Sequence, residues 1–289
     1  MMASLDIRTL SLAAAAASLV LCCYMLYFQA TRRTYPGFHL WTLGSLSMGA
    51  GMILVALRGL APDLFSIVVA NALIVMDLVL IRRGLADFAG RVSRPWPDAA
   101  FLVFYTVFIC WFTYVQPDIT ARVIMLSFSF ACYLLWSVQV AAGPVARLLG
   151  SRNWLLLACM AGLAIFHALR ALLTLSGAPT PSDLLAPSPL VALTLVFSLG
   201  MSVLVVNGLV MLNVQRLEQE LTAAQGEVTM LSGLLPICAG CKRIRDEGGG
   251  WQPIETYISS HSEAEFSHGI CPDCLRKHYP EVAGNVLKG

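Results

Sequence analysis

Four cysteines near the C-terminal end of the chain have the spacing of metal ligands. Cys238 and Cys241 form one C-x-x-C pair, Cys271 and Cys274 form a second, and 29 residues separate the two pairs. Each pair can hold one edge of a tetrahedral ion, and four thiolates suit Zn²⁺. We therefore expect a zinc site. Because four thiolates leave no coordination position open, we expect the metal to be structural rather than catalytic.

The same cysteines allow a second chemistry. A C-x-x-C motif can be a thiol redox pair, so a redox or metal sensor that uses these cysteines is the alternative interpretation. One shared metal explains two such motifs better than two separate redox centres. His261, His268 and His278 could replace a cysteine as ligands, although histidines at such positions are more often surface groups.

The segments around the cysteines predict a small α+β module over residues 236–282. We expect a hairpin through Arg243 to Trp251, which turns at three consecutive glycines, and short helices near Pro253 to Ser260 and from Pro272 through His278. A cysteine pair that opens a helix is typical of treble-clef-like zinc folds. Fewer than about 60 residues bury little apolar surface, so a metal would be an important source of stability.

Most of the remaining chain has the composition of a membrane protein. The 289 residues are 57% hydrophobic and 12% charged, with a mean hydropathy of +0.72. Seven stretches are long and apolar enough to cross the hydrocarbon core as helices. They are approximately Leu10 to Phe28, His39 to Leu57, Leu64 to Ile81, Ala99 to Val115, Val123 to Ala142, Trp154 to Leu175 and Leu190 to Leu212. We predict an all-α membrane protein with a seven-helix bundle over residues 1–212.

The arginines predict the orientation of the bundle. The loops after spans one, three and five are basic, and basic loops stay in the cytoplasm. Their arginines are Arg32, Arg33, Arg82, Arg83, Arg91, Arg94, Arg147 and Arg152. We expect the N-terminus outside and the cysteine module in the cytoplasm, where thiolates are metal ligands rather than disulfides. The first span could instead be a cleaved signal peptide, but Asp6 precedes it and its apolar stretch is long for that role.

Five ionisable residues within or next to the spans suggest a ligand pocket. Asp77 is the deepest acid, and His167 and Arg170 share one face of span six. With Arg58 and Arg122 they could surround a site for a small, anionic ligand. Alternatively, the arginines reach to the interface or pair with neighbouring aspartates. Transport is the least favoured function, because the sequence has no internal repeat and no broken spans in matching positions.

A linker helix is predicted over residues 213–235, between the bundle and the module. Its apolar positions alternate in steps of four and three, as in a heptad seam. They are Val210, Val214, Leu217, Leu221, Ala224, Val228, Leu231 and Leu235. This pattern favours a parallel coiled coil and hence a homodimer. The alternative is a single amphipathic helix that lies against its own domain.

Two regions resemble bacterial signalling proteins. The stretches Thr31-Arg-Arg-Thr-Tyr-Pro-Gly-Phe38, Leu57-Arg-Gly-Leu-Ala-Pro-Asp63, Ser66-Ile-Val-Val-Ala-Asn71 and Phe112-Thr-Tyr-Val-Gln-Pro-Asp118 resemble the multi-helix sensor regions of bacterial membrane diguanylate cyclases and histidine-kinase-type proteins. The tail resembles a short cysteine module that ends bacterial PAS-containing and receiver-type signalling proteins. The segments that carry this likeness are Leu234-Leu-Pro-Ile-Cys238-Ala-Gly-Cys241-Lys-Arg-Ile-Arg245 and Phe266-Ser-His-Gly-Ile-Cys271-Pro-Asp-Cys274.

The resemblance implies a bacterial inner-membrane protein that signals to a cytoplasmic partner. The chain departs from those families because no output enzyme is visible. Asp246-Glu-Gly-Gly-Gly250 is a turn and not the G-G-[DE]-E-F loop of a diguanylate cyclase, and no kinase phosphoacceptor helix follows span seven. We therefore expect a non-enzymatic sensor or adaptor. A net charge of +2 without a basic stripe argues against a nucleic-acid partner. A flexible tail is expected at 283–289.

Overall fold

The computed structural model describes residues 6–91, 94–177, 188–232, 236–246, 248–261, 265–267 and 269–282, with side chains except at 226–232 and 261. The chain divides into two compact units, Met1–Leu221 and Thr222–Gly289. The first unit contains the membrane helices, and the second contains the cysteine pairs. The predicted linker at 213–235 is divided between the two units, and the predicted tail at 283–289 lies outside the described residues.

Seven helices among the described residues are long and apolar enough to cross a membrane, which confirms the predicted number of spans. They cover Ile7–Thr31, Phe38–Ala56, Leu64–Phe88, Trp96–Val115, Ile119–Leu149, Trp154–Leu175 and Pro189–Gln225. The regular helices are α1 (Ile7–Thr31), α2 (Phe38–Ala56), α3 (Ala70–Phe88), α4 (Trp96–Cys110), α5 (Ile119–Val140), α6 (Ala146–Leu149), α7 (Trp154–Leu175) and α8 (Pro189–Ser232). The chain is a multi-pass membrane protein with a mainly helical fold.

Three short π-helical turns interrupt the regular hydrogen-bond pattern of the spans. They are Leu64–Val69 before α3, Trp111–Val115 after α4, and Ala141–Val145 between α5 and α6. The third contains Pro144, which has no backbone N–H to donate. A wider turn accommodates such a residue without ending the helix. Span five therefore continues through the proline to Leu149.

The third span extends further than the sequence predicts. The apolar stretch ends at Ile81, but α3 continues to Phe88. Arg82 and Arg83 are therefore helical residues and not loop residues, and Arg82 is buried. The prediction was wrong here because hydropathy ends a span at the first charge, whereas a buried acid neutralises this arginine, as described below.

Two glycines allow α2 and α3 to approach closely at one end of the bundle. Gly37 precedes α2 with a left-handed φ of +91°, and a Cβ there would lie 2.1 Å from the carbonyl oxygen of Gly84. The neighbouring Trp41 indole donates a hydrogen bond to the carbonyl of Ile81 at 3.2 Å. Only glycine fits this contact, because any side chain would separate the two backbones.

Three polar side chains of α8 form hydrogen bonds to three connections of the bundle. The Asn213 side chain accepts from the Tyr35 N–H and donates to the Arg33 carbonyl, both at 3.0 Å. Arg216 donates to the Phe88 carbonyl at 3.0 Å, and Gln219 donates to the Leu149 carbonyl at 2.6 Å. We call Asn213, Arg216 and Gln219 the polar clamp.

The polar clamp satisfies backbone groups that the helices themselves leave without partners. Phe88 and Leu149 are the last residues of α3 and α6, and the final carbonyls of a helix have no intrahelical donor. Arg216 also stacks on the Tyr35 ring, with its guanidinium carbon 4.2 Å from the ring centroid. The connections after spans one, three and five therefore all depend on α8.

The bundle itself covers the start of the predicted heptad seam. Val210 is buried, and Leu217 packs against the main core. Leu221 is 59% exposed. Since a side chain cannot pack on its own bundle and on a second copy at once, any pairing of two copies along this seam is restricted to Leu221 and the positions after it.

The cysteine unit contains a two-stranded sheet and two short helices. Strand β1 (Ile244–Arg245) pairs antiparallel with β2 (Trp251–Gln252), so that Ile244 lies opposite Gln252. The helices are α9 (Ile254–His261) and α10 (Pro272–His278). At the hairpin turn, the Asp246 side chain accepts from the Gly250 N–H at 2.7 Å. These elements lie where the sequence predicts them.

The buried core of the cysteine unit is centred on Ile244 and not on its large aromatic side chains. Ile244 is fully buried, whereas Trp251 is 48% and Phe266 is 45% exposed. Residues opposite each other on paired strands share one face of a sheet. Trp251 lies opposite Arg245 and therefore faces outward with it.

We expect Asn213→Leu to destabilise the bundle by about 1–3 kcal/mol, because it leaves the Tyr35 N–H and the Arg33 carbonyl without partners. Equilibrium unfolding of the purified protein in mixed micelles measures this change. Asn207→Leu is the matched control, since Asn207 is exposed on the same helix and, among the described residues, its side chain bonds to its own helix at the Val203 carbonyl. Equal losses in both variants would contradict the role of the polar clamp.

Candidate functional site

The first cysteine pair occupies a tight loop before β1. The Cys238 N–H donates to the Arg243 carbonyl at 2.8 Å, and the Lys242 N–H donates to the Cys238 carbonyl at 2.9 Å. Lys242 has a left-handed φ of +59°, which closes the loop. Backbone N–H groups of Cys241 and Gly240 lower the pKa of the Cys238 thiol. The loop therefore favours a thiolate at this position.

The second pair opens α10. Cys271 is the N-cap residue, and its Sγ accepts from the Cys274 N–H at 3.4 Å. This bond lowers the pKa of the Cys271 thiol, and the hydrogen bond that the Cys274 thiol donates to the Cys271 side chain raises the pKa of Cys274. Proline at the first helical position suits this start. Each pair thus holds one cysteine that ionises readily.

The donors fit zinc, but the two pairs stay separate in this structure. No group of three or more His, Cys, Asp or Glu side chains among the described residues is close enough to share one ion. None of the described cysteines forms a disulfide. His268 and the side chain of His261 lie outside the described residues. A four-thiolate site would require the loop before β1 and the start of α10 to approach each other.

A cavity of about 140 Å³ lies inside the helix bundle. Helices α1, α2, α3, α5, α7 and α8 contribute its wall, which is largely apolar. Three ionisable side chains line it: Asp77 from α3, with His167 and Arg170 from α7. A cavity of about 150 Å³ is large enough to bind benzene. This one therefore suits a small organic molecule.

All three ionisable side chains are more than nine-tenths buried. Arg170 is 6% exposed, and its guanidinium forms no hydrogen bond or ion pair within the described part of the chain; its Nε is buried without a partner. The Nδ1 of His167 also has no partner among the described residues, and its Nε2 lies 3.4 Å from the Ser198 hydroxyl. His167 stacks on Phe130, with ring centroids 4.3 Å apart. An unpaired buried charge is costly in a bundle interior, which marks this cavity as a candidate binding site.

Asp77 lines the same cavity from α3. Its carboxylate accepts no hydrogen bond from the described residues and lies against the backbone of α2. A Cβ at Gly44 would be 2.6 Å from the Asp77 Oδ1, so that a larger residue at this position would displace the carboxylate. Gly44 therefore accommodates the Asp77 carboxylate beside α2.

The other two residues of the predicted pocket lie elsewhere. Arg58 follows α2, and its carbonyl accepts a hydrogen bond from Arg8 at 3.0 Å. Arg122 lies in the first turn of α5, where it bonds to the Asp118 carbonyl and the Thr113 hydroxyl at 3.4 and 3.5 Å. Neither lines the cavity. The cavity therefore contains three of the five predicted residues.

A second buried polar cluster surrounds Asp98 and was not predicted. Asp98 is 1% exposed in the first turn of α4 and forms an ion pair with Arg82. The Arg83 Nε lies 3.4 Å from the same carboxylate, and the Tyr133 hydroxyl donates to it at 3.2 Å. The Arg82 guanidinium stacks on Trp136 at 4.2 Å. The feature of the sequence that indicates this cluster is an acid, Asp98, that directly follows a basic loop. We call these five residues the Asp98 cluster.

Comparison with protein-family models, with curated proteins and with solved structures finds no match for this chain. The resemblance to bacterial signalling proteins therefore stays a prediction. The class that the structure defines is a multi-pass membrane protein with a partly polar internal cavity.

We expect the purified full-length protein to contain about one zinc ion per chain, as a shared four-thiolate site requires. Cys238→Ser and Cys274→Ser should each lose most of this metal, measured by plasma mass spectrometry. Cys132→Ser, on the exposed side of α5, should retain it. Zinc-free wild-type protein with a reversible disulfide in either pair would contradict the metal site and favour the redox alternative.

Arg82→Met should lower the free energy of unfolding by up to about 3–5 kcal/mol, because it removes the main counter-charge of buried Asp98. The double variant Arg82→Met, Asp98→Leu should recover much of the loss. Arg147→Met, which alters an exposed arginine, is the control. Additive losses in the double variant, measured by equilibrium unfolding in micelles, would contradict the coupling of these two residues.

Proposed function

We propose that this protein is a non-enzymatic sensor of the bacterial inner membrane. The cavity receives the signal, α8 passes it on, and the zinc-stabilised cysteine module binds a cytoplasmic signalling protein. The observation that carries this proposal is the continuity of α8, which lines the cavity and runs without a break to Ser232, a few residues before Cys238 in the sequence.

The length of α8 supports a role in transmission. It has 44 residues and is therefore about 66 Å long, whereas the hydrocarbon core is about 30 Å thick. Its cavity-lining residues recur every three or four positions, as on one helical face. They include Thr194, Ser198, Ser202, Val205 and Leu209. A molecule in the cavity thus contacts the same helix that continues beyond the bundle.

Along the sequence, the polar clamp on α8 follows the cavity-lining residues and precedes the cysteine module. Any shift or rotation of α8 must strain or exchange the bonds of Asn213, Arg216 and Gln219. Hydrogen-bonded contacts of this kind favour discrete arrangements over continuous movement. We infer that the clamp defines the resting position of α8, and that a ligand acts by preferring another position.

The proposal includes an orientation for the bundle in the membrane and a protein partner for the cysteine module. The basic connections lie at the end of the bundle where the polar clamp binds, so we assign that end to the cytoplasm. Zinc would join the two cysteine pairs and fix one surface of the module. Several exposed apolar side chains of this unit, Trp251 and Phe266 among them, suit a protein partner. A second copy of the chain would pair through the seam beyond Leu221.

A thiol-based sensor is the second candidate. Cys238 and Cys271 each have a lowered thiol pKa, and Cys241, Cys271 and Cys274 are exposed. Accessible thiolates react readily with oxidants and metals. In this version the cysteine module is itself the input, and the cavity plays no part in the signal.

A cavity-filling variant tests the leading proposal without knowledge of the ligand. We expect Ser198→Phe to change hydrogen–deuterium exchange at the clamped connections and within residues 236–282, measured on the full-length protein in nanodiscs. Val196→Phe, on the exposed face of α8, should leave both unchanged. With two glycines inserted after Gln225, the effect of Ser198→Phe on residues 236–282 should disappear. Exchange in the module that is identical in Ser198→Phe and wild type would refute the coupling.

A further inference from the structure

Arg170 needs a counter-charge more than any other group in the cavity wall. A buried carboxyl can be neutralised by a proton, whereas a guanidinium keeps its charge under all conditions a protein meets. Arg170 is 6% exposed and has no carboxylate partner among the described residues. It does not reach to the interface, because it is buried and lines the cavity. An anion bound in the cavity would provide the missing charge.

The chemistry around Arg170 selects a carboxylate with an apolar body. The guanidinium can donate two parallel hydrogen bonds to a carboxylate. His167 lies three residues away on the same face of α7, and its unpartnered Nδ1 can donate another when protonated at that atom. The rest of the wall is rich in Leu, Met, Val and Ile, which would not solvate an inorganic ion.

The volume limits the size of the ligand. About 140 Å³ is close to the cavity volume that accepts benzene, so a molecule of roughly six to nine non-hydrogen atoms fits. We propose that the cavity binds a short-chain or small aromatic monocarboxylate, held by Arg170 and His167. This inference rests on the proposed function of the cavity as the input site.

Such a ligand would also connect two helices. Its carboxylate would lie beside α7 at Arg170 and His167, and the Ser198 hydroxyl of α8 is already 3.4 Å from the His167 Nε2. A carboxylate bound there therefore changes the partners of a pair that joins α7 to α8. The position of α8 would in this way depend on whether the cavity is occupied.

Hexanoate is the probe for this proposal, with hexan-1-ol and hexylammonium as matched compounds without the carboxylate. Calorimetric titration of the full-length protein in nanodiscs should show saturable binding of hexanoate alone. Arg170→Met should weaken it about 10- to 100-fold, in line with the loss of charge-assisted hydrogen bonds. Arg170→Lys should retain part of the affinity, because it keeps the charge but not the paired donors. Arg147→Met should bind as the wild type does.

Three results would overturn the assignment. They are equal binding of hexan-1-ol, tighter binding of hexylammonium that Asp77→Asn removes, and unchanged hexanoate binding in both Arg170 variants. If Arg170→Met does not fold, the lysine variant and the three compounds on the wild type decide the question.

Two further outcomes separate the ligand class from the coupling between the cavity and the module. Absence of hexanoate binding while Ser198→Phe still alters exchange in residues 236–282 refutes the ligand class and not the coupling. Binding of hexanoate without any change in that exchange upholds the ligand and refutes the coupling.

Discussion

In lipid, every polar group must find its partner within the protein, and this constraint organises the membrane unit. The Asp98 cluster satisfies it by joining three helices around one carboxylate, with Arg82 and Arg83 from α3 and Tyr133 from α5. The polar clamp satisfies it at helix ends, where the final carbonyls of α3 and α6 receive side-chain donors. The side chains of Arg170 and His167 in the cavity are exceptions to this pattern, because they have buried nitrogens without partners among the described residues.

The two buried arginines, Arg82 and Arg170, differ in their surroundings. Arg82 forms an ion pair with Asp98 and stacks on Trp136, although its Nε is buried without a partner among the described residues. Arg170 is equally buried but has no such partner among the described residues. A paired arginine such as Arg82 contributes to the fold, whereas an unpaired charge in a cavity costs stability, which supports our proposal that the cavity binds a ligand.

Much of this arrangement could be read from the sequence, and the remainder depended on tertiary contacts. The seven spans followed from hydropathy, and the hairpin and helices of the cysteine unit followed from glycines, a proline and the cysteine spacing. Asp77, His167 and Arg170 could be identified as candidate site residues because ionisable side chains at membrane depth are rare. Arg58 and Arg122 shared that chemistry but lie at helix ends, and their distance from the cavity depends on local turns that composition does not reveal. The pairing of Asp98 with Arg82, and the outward face of Trp251, depended on helix length and strand register in the same way.

The polar clamp has a consequence for the order in which the membrane unit is completed. Asn213, Arg216 and Gln219 follow all six earlier spans in the chain, and so they leave the ribosome after the connections that they bind. Until they arrive, the ends of α3 and α6 and the turn at Tyr35 lack these partners. The last membrane helix to be synthesised therefore completes the membrane unit, and a fragment that stops at residue 212 would contain only the first part of the seventh span and would lack the polar clamp.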